Sequence, residues 1–122
     1  RSGILPQLRD AFNPQVETTL AQTAELLAAE VDYLTAQAAA VSADCFIEGK
    51  LNRRSLRSVH LALQRRVIRR ALMDSLGFTP QFDHVEKVVA LLWAPNRSQS
   101  DPFPGGAIAI VQDPWIQFQP PT

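Results

Sequence analysis

The sequence predicts a mainly α-helical fold: a helical bundle with one long helix, finished by a small C-terminal β-hairpin. Three observations carry this expectation. Leu20, Ala24, Leu27, Val31, Leu34, Ala38 and Val41 recur at alternating spacings of four and three, the period of a helix that packs along another helix. In Leu61 to Leu72, Arg65, Arg66, Arg69 and Arg70 fall on one arc of a helical wheel, with Leu61, Leu63, Val67, Ile68, Ala71 and Leu72 on the opposite arc. Two short apolar runs, Ala107 to Val111 and Trp115 to Phe118, flank Asp113-Pro114 and read as a hairpin.

Taken in order, Ile4, Leu5, Leu8 and Phe12 outline a short amphipathic helix that stops at Asn13-Pro14. Asn13 is a suitable N-cap for the long helix. Pro14 suits its first turn, where a missing N–H costs nothing. The long helix is expected to run into the low forties, with small residues (Ala21, Ala28, Ala29, Ala36, Ala39, Ala40) that permit close approach of a partner. Asp44 to Leu51, with Gly49, reads as a connection. Ser55 or Ser58 is expected to cap the arginine-bearing helix, which should end near Leu76 with Gly77 as its stop. Thr79-Pro80 repeats the cap-plus-proline start, and Phe82, Val85, Val88, Val89 and Leu92 form the stripe of a last helix closed by Pro95. Residues 95–106 are a Pro-, Ser- and Gly-rich loop, and Gln119 to Pro121 a loose tail. Leu27, Val31, Leu34, Leu63 and Ile68 are expected to form the helical core.

Composition sets the outer bounds. A 122-residue chain that is 46% apolar and 20% charged is one small globular domain or a piece of a larger protein. The longest apolar run, Val88 to Ala94, is too short to cross a bilayer. The chain opens on Arg1 with no basic-then-apolar leader, which suggests a segment cut from something longer. Cys45 is the only cysteine, so no internal disulfide can form, and a reducing, cytoplasmic setting fits best. Its neighbour Asp44 disfavours a thiolate, and Cys45 reads as structural. His60 and His84 have no zinc-ligand spacing and read as packing or helix-surface residues. Trp93 and Trp115 have the faces to stack on a base, but core packing is the simpler expectation for both.

The net charge of zero hides a polarised layout. Asp10, Glu17, Glu25, Glu30, Asp32, Asp44 and Glu48 are followed by Lys50, Arg53, Arg54, Arg57, Arg65, Arg66, Arg69 and Arg70, with no opposite charge inside either block. The acidic and basic helices can pair within the fold. Alternatively, the basic surface meets an outside polyanion, since a row of planar guanidinium forks suits phosphates and carboxylates. On that second reading Arg65, Arg66, Arg69 and Arg70 are the first candidates for contact, and Arg53, Arg54 and Arg57 extend the same track.

Several motifs together resemble one family. Ile4-Leu5-Pro6-Gln7-Leu8 and Phe12-Asn13-Pro14, Thr23-Ala24-Glu25-Leu26-Leu27, Ala62-Leu63-Gln64-Arg65-Arg66-Val67-Ile68-Arg69, Gly77, His84-Val85 and Pro104-Gly105-Gly106 stand in the order found after the catalytic domain of bacterial and plastid tRNA(Ile)-lysidine synthetases. The Ala-Leu-Gln-Arg-Arg run is the most specific piece. One departure is Val59-His60, where the family often has a proline. The Ser-Gly-Gly-x-Asp-Ser loop with which such enzymes hold ATP phosphates has no counterpart here.

The resemblance implies an accessory domain of an ATP-dependent ligase, which adenylates the wobble cytidine of an isoleucine tRNA with a CAU anticodon and displaces the adenylate with lysine. It divides the chain into 1–13, a junction with a missing N-terminal catalytic domain; 14–94, a helical accessory domain; and 95–122, a loop and hairpin completing it. It implies tRNA(Ile) and the chain's own catalytic domain as partners and a cytoplasmic location. ATP and Mg2+ are expected in the missing domain, with no cofactor, metal or catalytic residue in this fragment, which should be inactive alone. The arginines would then grip the tRNA backbone without reading its sequence. The competing expectation is a non-enzymatic helical interaction module whose Ala-rich seam over residues 20–41 forms a homodimer or binds a partner.

Overall fold

The structure, a computed structural model, describes residues 14–121. The short helix expected before Asn13, the cap role of Asn13 and the 1–13 junction lie outside the described residues. Helix α1 runs Pro14–Cys45, followed by strands β1 (Phe46–Ile47) and β2 (Lys50–Asn52), a short helix α2 (Arg53–Arg57), the arginine-bearing helix α3 (Leu61–Leu76), α4 (Phe82–Leu91), and strands β3 (Ile108–Gln112) and β4 (Trp115–Gln119). The chain forms two compact units divided inside α1, one up to Tyr33 and one from Leu34 onward.

The mainly helical class with one long helix holds, but the C-terminal hairpin is half of a larger element. β3 and β4 join β1 and β2 in a four-stranded antiparallel sheet of order β1-β2-β4-β3. The segment expected as a plain connection is thus a tight hairpin. Glu48 (φ 53) and Gly49 (φ 79) both take left-handed backbone at its turn, the geometry whose twist matches two antiparallel strands. Leu51 pairs with Ile116, and Ile116 with Val111. All three, with Ala109, are fully buried on the sheet's inner face.

The helix ends differ in detail from the expectation. α3 is capped by His60, whose Nδ1 accepts the Ala62 N–H at 3.0 Å, while Ser58 closes α2. Asn52 caps α2 by accepting from the Ser55 N–H at 3.1 Å. α4 begins after Gln81 rather than at Thr79-Pro80, and His84 Nδ1 accepts the Gln81 N–H at 3.0 Å. The two histidines therefore tie off helices. Gly77 ends α3 as expected, at φ 73, where its N–H reaches the Met73 carbonyl.

The core of the second unit is made by α3 and α4 packed on the inner face of the sheet. Leu56, Val67, Ile68, Ala71, Leu72, Val88 and Leu92 are buried there with Leu51, Val111 and Ile116. From α1 only Ala38 and Cys45 are buried, and Val41 packs against them. This corrects the expected core list. Ile68 is buried and Leu34 and Leu63 are half-buried, but Leu27 is 55% and Val31 49% exposed. Trp93, for which packing was the simpler expectation, is 59% exposed at the end of α4. The heptad period is real, but it marks a face, and among the described residues only its C-terminal part is covered.

Leu72→Ala should cost ~2–5 kcal/mol in urea denaturation, since it empties a site with no solvent exposure. Leu27→Ala should change stability by no more than about 0.5 kcal/mol, because little apolar surface is uncovered there.

Candidate nucleic-acid interface

The seven candidate arginines separate into two groups by what their guanidinium groups already hold. α2 starts at the end of β2, which aims Arg53 inward beneath the β3–β4 turn. Arg53 is 5% exposed. Its Nε donates to Asp113 Oδ1 at 2.9 Å, and its Nη1 donates to the carbonyls of Leu91 at 2.9 Å and Ala94 at 2.6 Å. Arg54 donates to the other Asp113 oxygen, and Arg57 donates through Nε to the Leu92 carbonyl. Arg53 is committed to the fold, and Arg54 and Arg57 each spend one donor on it. The hydrogen bonds from Arg54 and then Arg53 hold the Asp113 carboxyl below the usual carboxylate range.

On α3 the four arginines do not act as one row. Arg65 faces α4, where it makes an ion pair with Glu86 (Nε–Oε2, 2.9 Å) and lies over the Phe82 ring at 5.2 Å. Arg66, Arg69 and Arg70 turn the other way, toward residues 35–42 of α1. Arg66 Nη1 donates to Thr35 Oγ1 at 3.2 Å. Arg70 pairs with Asp74 one turn on, at 3.1 Å, with 70% of its side chain exposed. Arg69 donates only to the soft thioether of Met73 at 3.6 Å and has no ion pair among the described residues.

These three arginines line an open cleft of ≈ 770 Å³ whose opposite wall is Thr35, Ala38, Ala39 and Ser42. The alanines keep that wall low, so that a bulky polyanion can approach the guanidinium groups. Among the described residues, Asp74 is the only carboxylate lining the cleft. Its i,i+4 pair with Arg70 is an exposed one, worth about 0.3–0.5 kcal/mol, so an incoming phosphate can displace it.

Gln64, within the most specific sequence motif, has a structural role that sequence reasoning missed. It is buried, and its Nε2 donates to the carbonyls of Leu56 at 2.9 Å and Val59 at 3.1 Å, which joins the end of α2 to α3. A polar residue on the apolar arc of the wheel was the available signal. Cys45 is buried, and burial followed by the Asp44 charge pushes its thiol pKa up, so it stays protonated and unreactive.

Among the described residues, the glycines and carboxylates are not arranged as a cradle for ATP phosphates or Mg2+. Gly105-Gly106, the one glycine pair, sits in a turn packed on Pro121, where a Cβ on Gly106 would lie 3.2 Å from the proline ring. No His, Cys, Asp or Glu cluster among the described residues could hold a metal ion. No helix among them is long and apolar enough to cross a membrane.

Fold and site together define a small, mainly helical domain with an open, arginine-lined cleft. A family model described as the TilS substrate binding domain matches residues 51–113, which include α2, α3, α4 and the Asp113 latch, and the chain belongs to that family. Relatives named tRNA(Ile)-lysidine synthase are 46% identical in Nostoc sp. (95% of this chain, 39% of the relative), 41% in Synechocystis sp. (97% and 36%) and 37% in Solibacter usitatus (86% and 25%). The chain thus spans well under half the length of the curated relatives it matches.

Gln64→Ala should cost ~1–3 kcal/mol, because carbonyls at the end of α2 lose their buried donor; thermal denaturation measures it. Asp113 should make stability pH-dependent in one direction. Its folded pKa is depressed, so the stabilisation is full above the unfolded pKa of about 4 and is lost as pH falls through the lower folded value. Asp113→Asn should weaken the acid-side slope in a series of urea midpoints, and an unchanged slope would show that other carboxylates set it.

Proposed function

We propose that this chain is the tRNA-positioning domain of a tRNA(Ile)-lysidine synthetase, an ATP-dependent ligase that joins lysine to the wobble cytidine of the CAU anticodon. The observation that carries the reading is the cleft of Arg66, Arg69 and Arg70, where three guanidinium groups face two hydroxyls and one weakly held carboxylate. Arg69 and Arg66 are the best-placed phosphate ligands, and Arg70 joins them when it releases Asp74. Arg65, Arg54 and Arg57 form a second tier because each must share donors with the fold. Binding through phosphates makes the grip blind to sequence, so selection of the anticodon falls to the catalytic domain.

On this reading the 14–94 helical part and the 95–122 loop and hairpin act as one accessory domain. Residues 1–13 lead from the N-terminal catalytic domain, where ATP and Mg2+ bind, and the 122-residue chain is inactive alone. The enzyme works in the cytoplasm, on tRNA(Ile). Leu20, Leu27 and Val31, all about half exposed, present an apolar row on α1 that suits docking of the catalytic domain. The same row favours the second reading, a helical module that dimerises through its seam. A molecular mass that doubles with concentration, and returns to monomer with Leu27→Lys, would support it.

In filter binding across a salt series, Arg66→Ala with Arg69→Ala should weaken tRNA binding. The pair should also flatten the plot of log affinity against log salt by roughly 0.7–0.9 for each phosphate that is no longer neutralised. Unchanged affinity and slope would remove this cleft from the interface.

A further inference from the structure

We infer that the outer face of the sheet is a second RNA-binding surface, one that takes unpaired nucleotides. The inference rests on the reading of the chain as an RNA-binding domain, and it uses residues remote in sequence from the arginines of α3. Cross-strand partners share a face, so the register places Asn52, Trp115 and Gln112 in one row and Lys50, Gln117 and Ile110 in the next. The inner face is fully buried at Leu51, Ala109, Val111 and Ile116, whereas these two rows remain partly or fully open to solvent.

The chemistry of that face is that of a base-stacking platform. Trp115 supplies an indole. Gln112 and Gln117 supply planar amides that both donate to and accept from base edges, while Asn52, whose Oδ1 caps α2, adds an amide N–H donor. Lys50 Nζ lies over the Trp115 ring at 5.1 Å. Such a cation–π contact is weaker than base stacking on an indole, so a nucleobase can displace the ammonium toward a backbone phosphate.

At the β3 edge, where Gln99 bridges to Ile110, the face continues into a shallow cleft of ≈ 560 Å³ lined by Asn96, Arg97 and Gln99 beside Ile110, Gln112 and the ion-paired Asp113. Arg97 is exposed, and its guanidinium has no ion pair among the described residues. Its backbone is fixed at φ 74, with its N–H donated to the Val111 carbonyl at 3.0 Å.

Charge selects the occupant. Neither row carries a carboxylate. Asp113, at one end, is neutralised by Arg53 and Arg54. Glu48 and Asp74 line the cleft at the opposite end, beside Lys50 and Gln117. A strand of RNA would therefore run from Arg97 across Trp115 to Lys50 and leave before the Glu48 turn. A duplex cannot use this surface, because its bases are stacked on one another and closed to the indole.

The test uses the 122-residue chain carrying Trp93→Phe, so that Trp115 is the only indole. A short oligouridylate should quench its fluorescence, and a blunt RNA duplex should not. In anisotropy with labelled oligouridylate, Trp115→Leu and, separately, Gln112→Glu at an exposed position should each weaken binding about tenfold. Arg66→Ala with Arg69→Ala should leave oligouridylate binding intact while weakening binding of whole tRNA, which separates the two surfaces. Equal binding of duplex and oligouridylate, absence of quenching, or full affinity in folded Gln112→Glu would overturn the inference. A mass that doubles in the parent chain and is restored to monomer by Gln112→Glu would also overturn it, assigning the face to a protein partner.

Discussion

Burial of one guanidinium group organises the second unit. Isolated, a charge as buried as Arg53 would be strongly unfavourable, and it persists only because its surroundings satisfy it. The satisfaction comes from three places distant in sequence: the Asp113 carboxylate at the β3–β4 turn, and the Leu91 and Ala94 carbonyls at the end of α4. The Arg53 backbone N–H adds a fourth bond, to the Pro114 carbonyl at 2.9 Å. A helix end leaves carbonyls without partners and carries partial negative charge, so a cation there meets two needs at once. This arrangement fixes the sheet, α2 and α4 relative to one another.

The cleft inherits its geometry from that latch. α2 is only five residues long and could not hold α3 by packing alone. Gln64 reaches back from α3 to the last carbonyls of α2, and the Arg57 guanidinium crosses to the Leu92 carbonyl. With α3 tied to α2 by Gln64 and to α4 by the Arg65–Glu86 pair, its wheel is oriented so that Val67, Ile68, Ala71 and Leu72 enter the core while Arg66, Arg69 and Arg70 face the last turns of α1. Rotating α3 by one residue would bury an arginine, so the hydrophobic face and the cleft are specified together.

The sequence made some of this visible and hid the rest for definite reasons. The long helix, the Gly77 stop and the β3–β4 hairpin were legible because each rests on local periodicity or on one special backbone conformation. β1 and β2 were not, since two and three residues are too few to show alternation; the Glu48-Gly49 turn was the only local trace. Among the seven arginines, sequence could find the basic block but not sort it. The partners of Arg53 and Arg57 are mainly backbone carbonyls, which every residue has, so no pattern of side chains announces them. Gln64 was missed because a lone polar residue on an apolar arc reads as noise until its acceptors are placed. Leu27 and Val31 were misread because a heptad seam records that a face is apolar, not what covers it.

That last point bears on why a domain this small exposes so much of a regular apolar stripe. A monomer gains nothing from holding Leu20, Leu27 and Val31 half in water, yet the spacing from Leu20 to Val41 is kept without interruption. One helix thus carries two hydrophobic faces in series: its last turns seal the core of the second unit, and its earlier turns present an apolar row that stays about half open among the described residues. Magnitude bounds what this row can do. Full burial of an aliphatic side chain is worth roughly 1.5–3 kcal/mol, so covering the open halves of these three adds about 2–4 kcal/mol. Half-occupancy needs about 4 kcal/mol at a tethered, millimolar effective concentration and about 8 kcal/mol between free molecules at micromolar concentration. The row therefore contributes to an interface without sufficing for one, and whatever covers it must add contacts of its own.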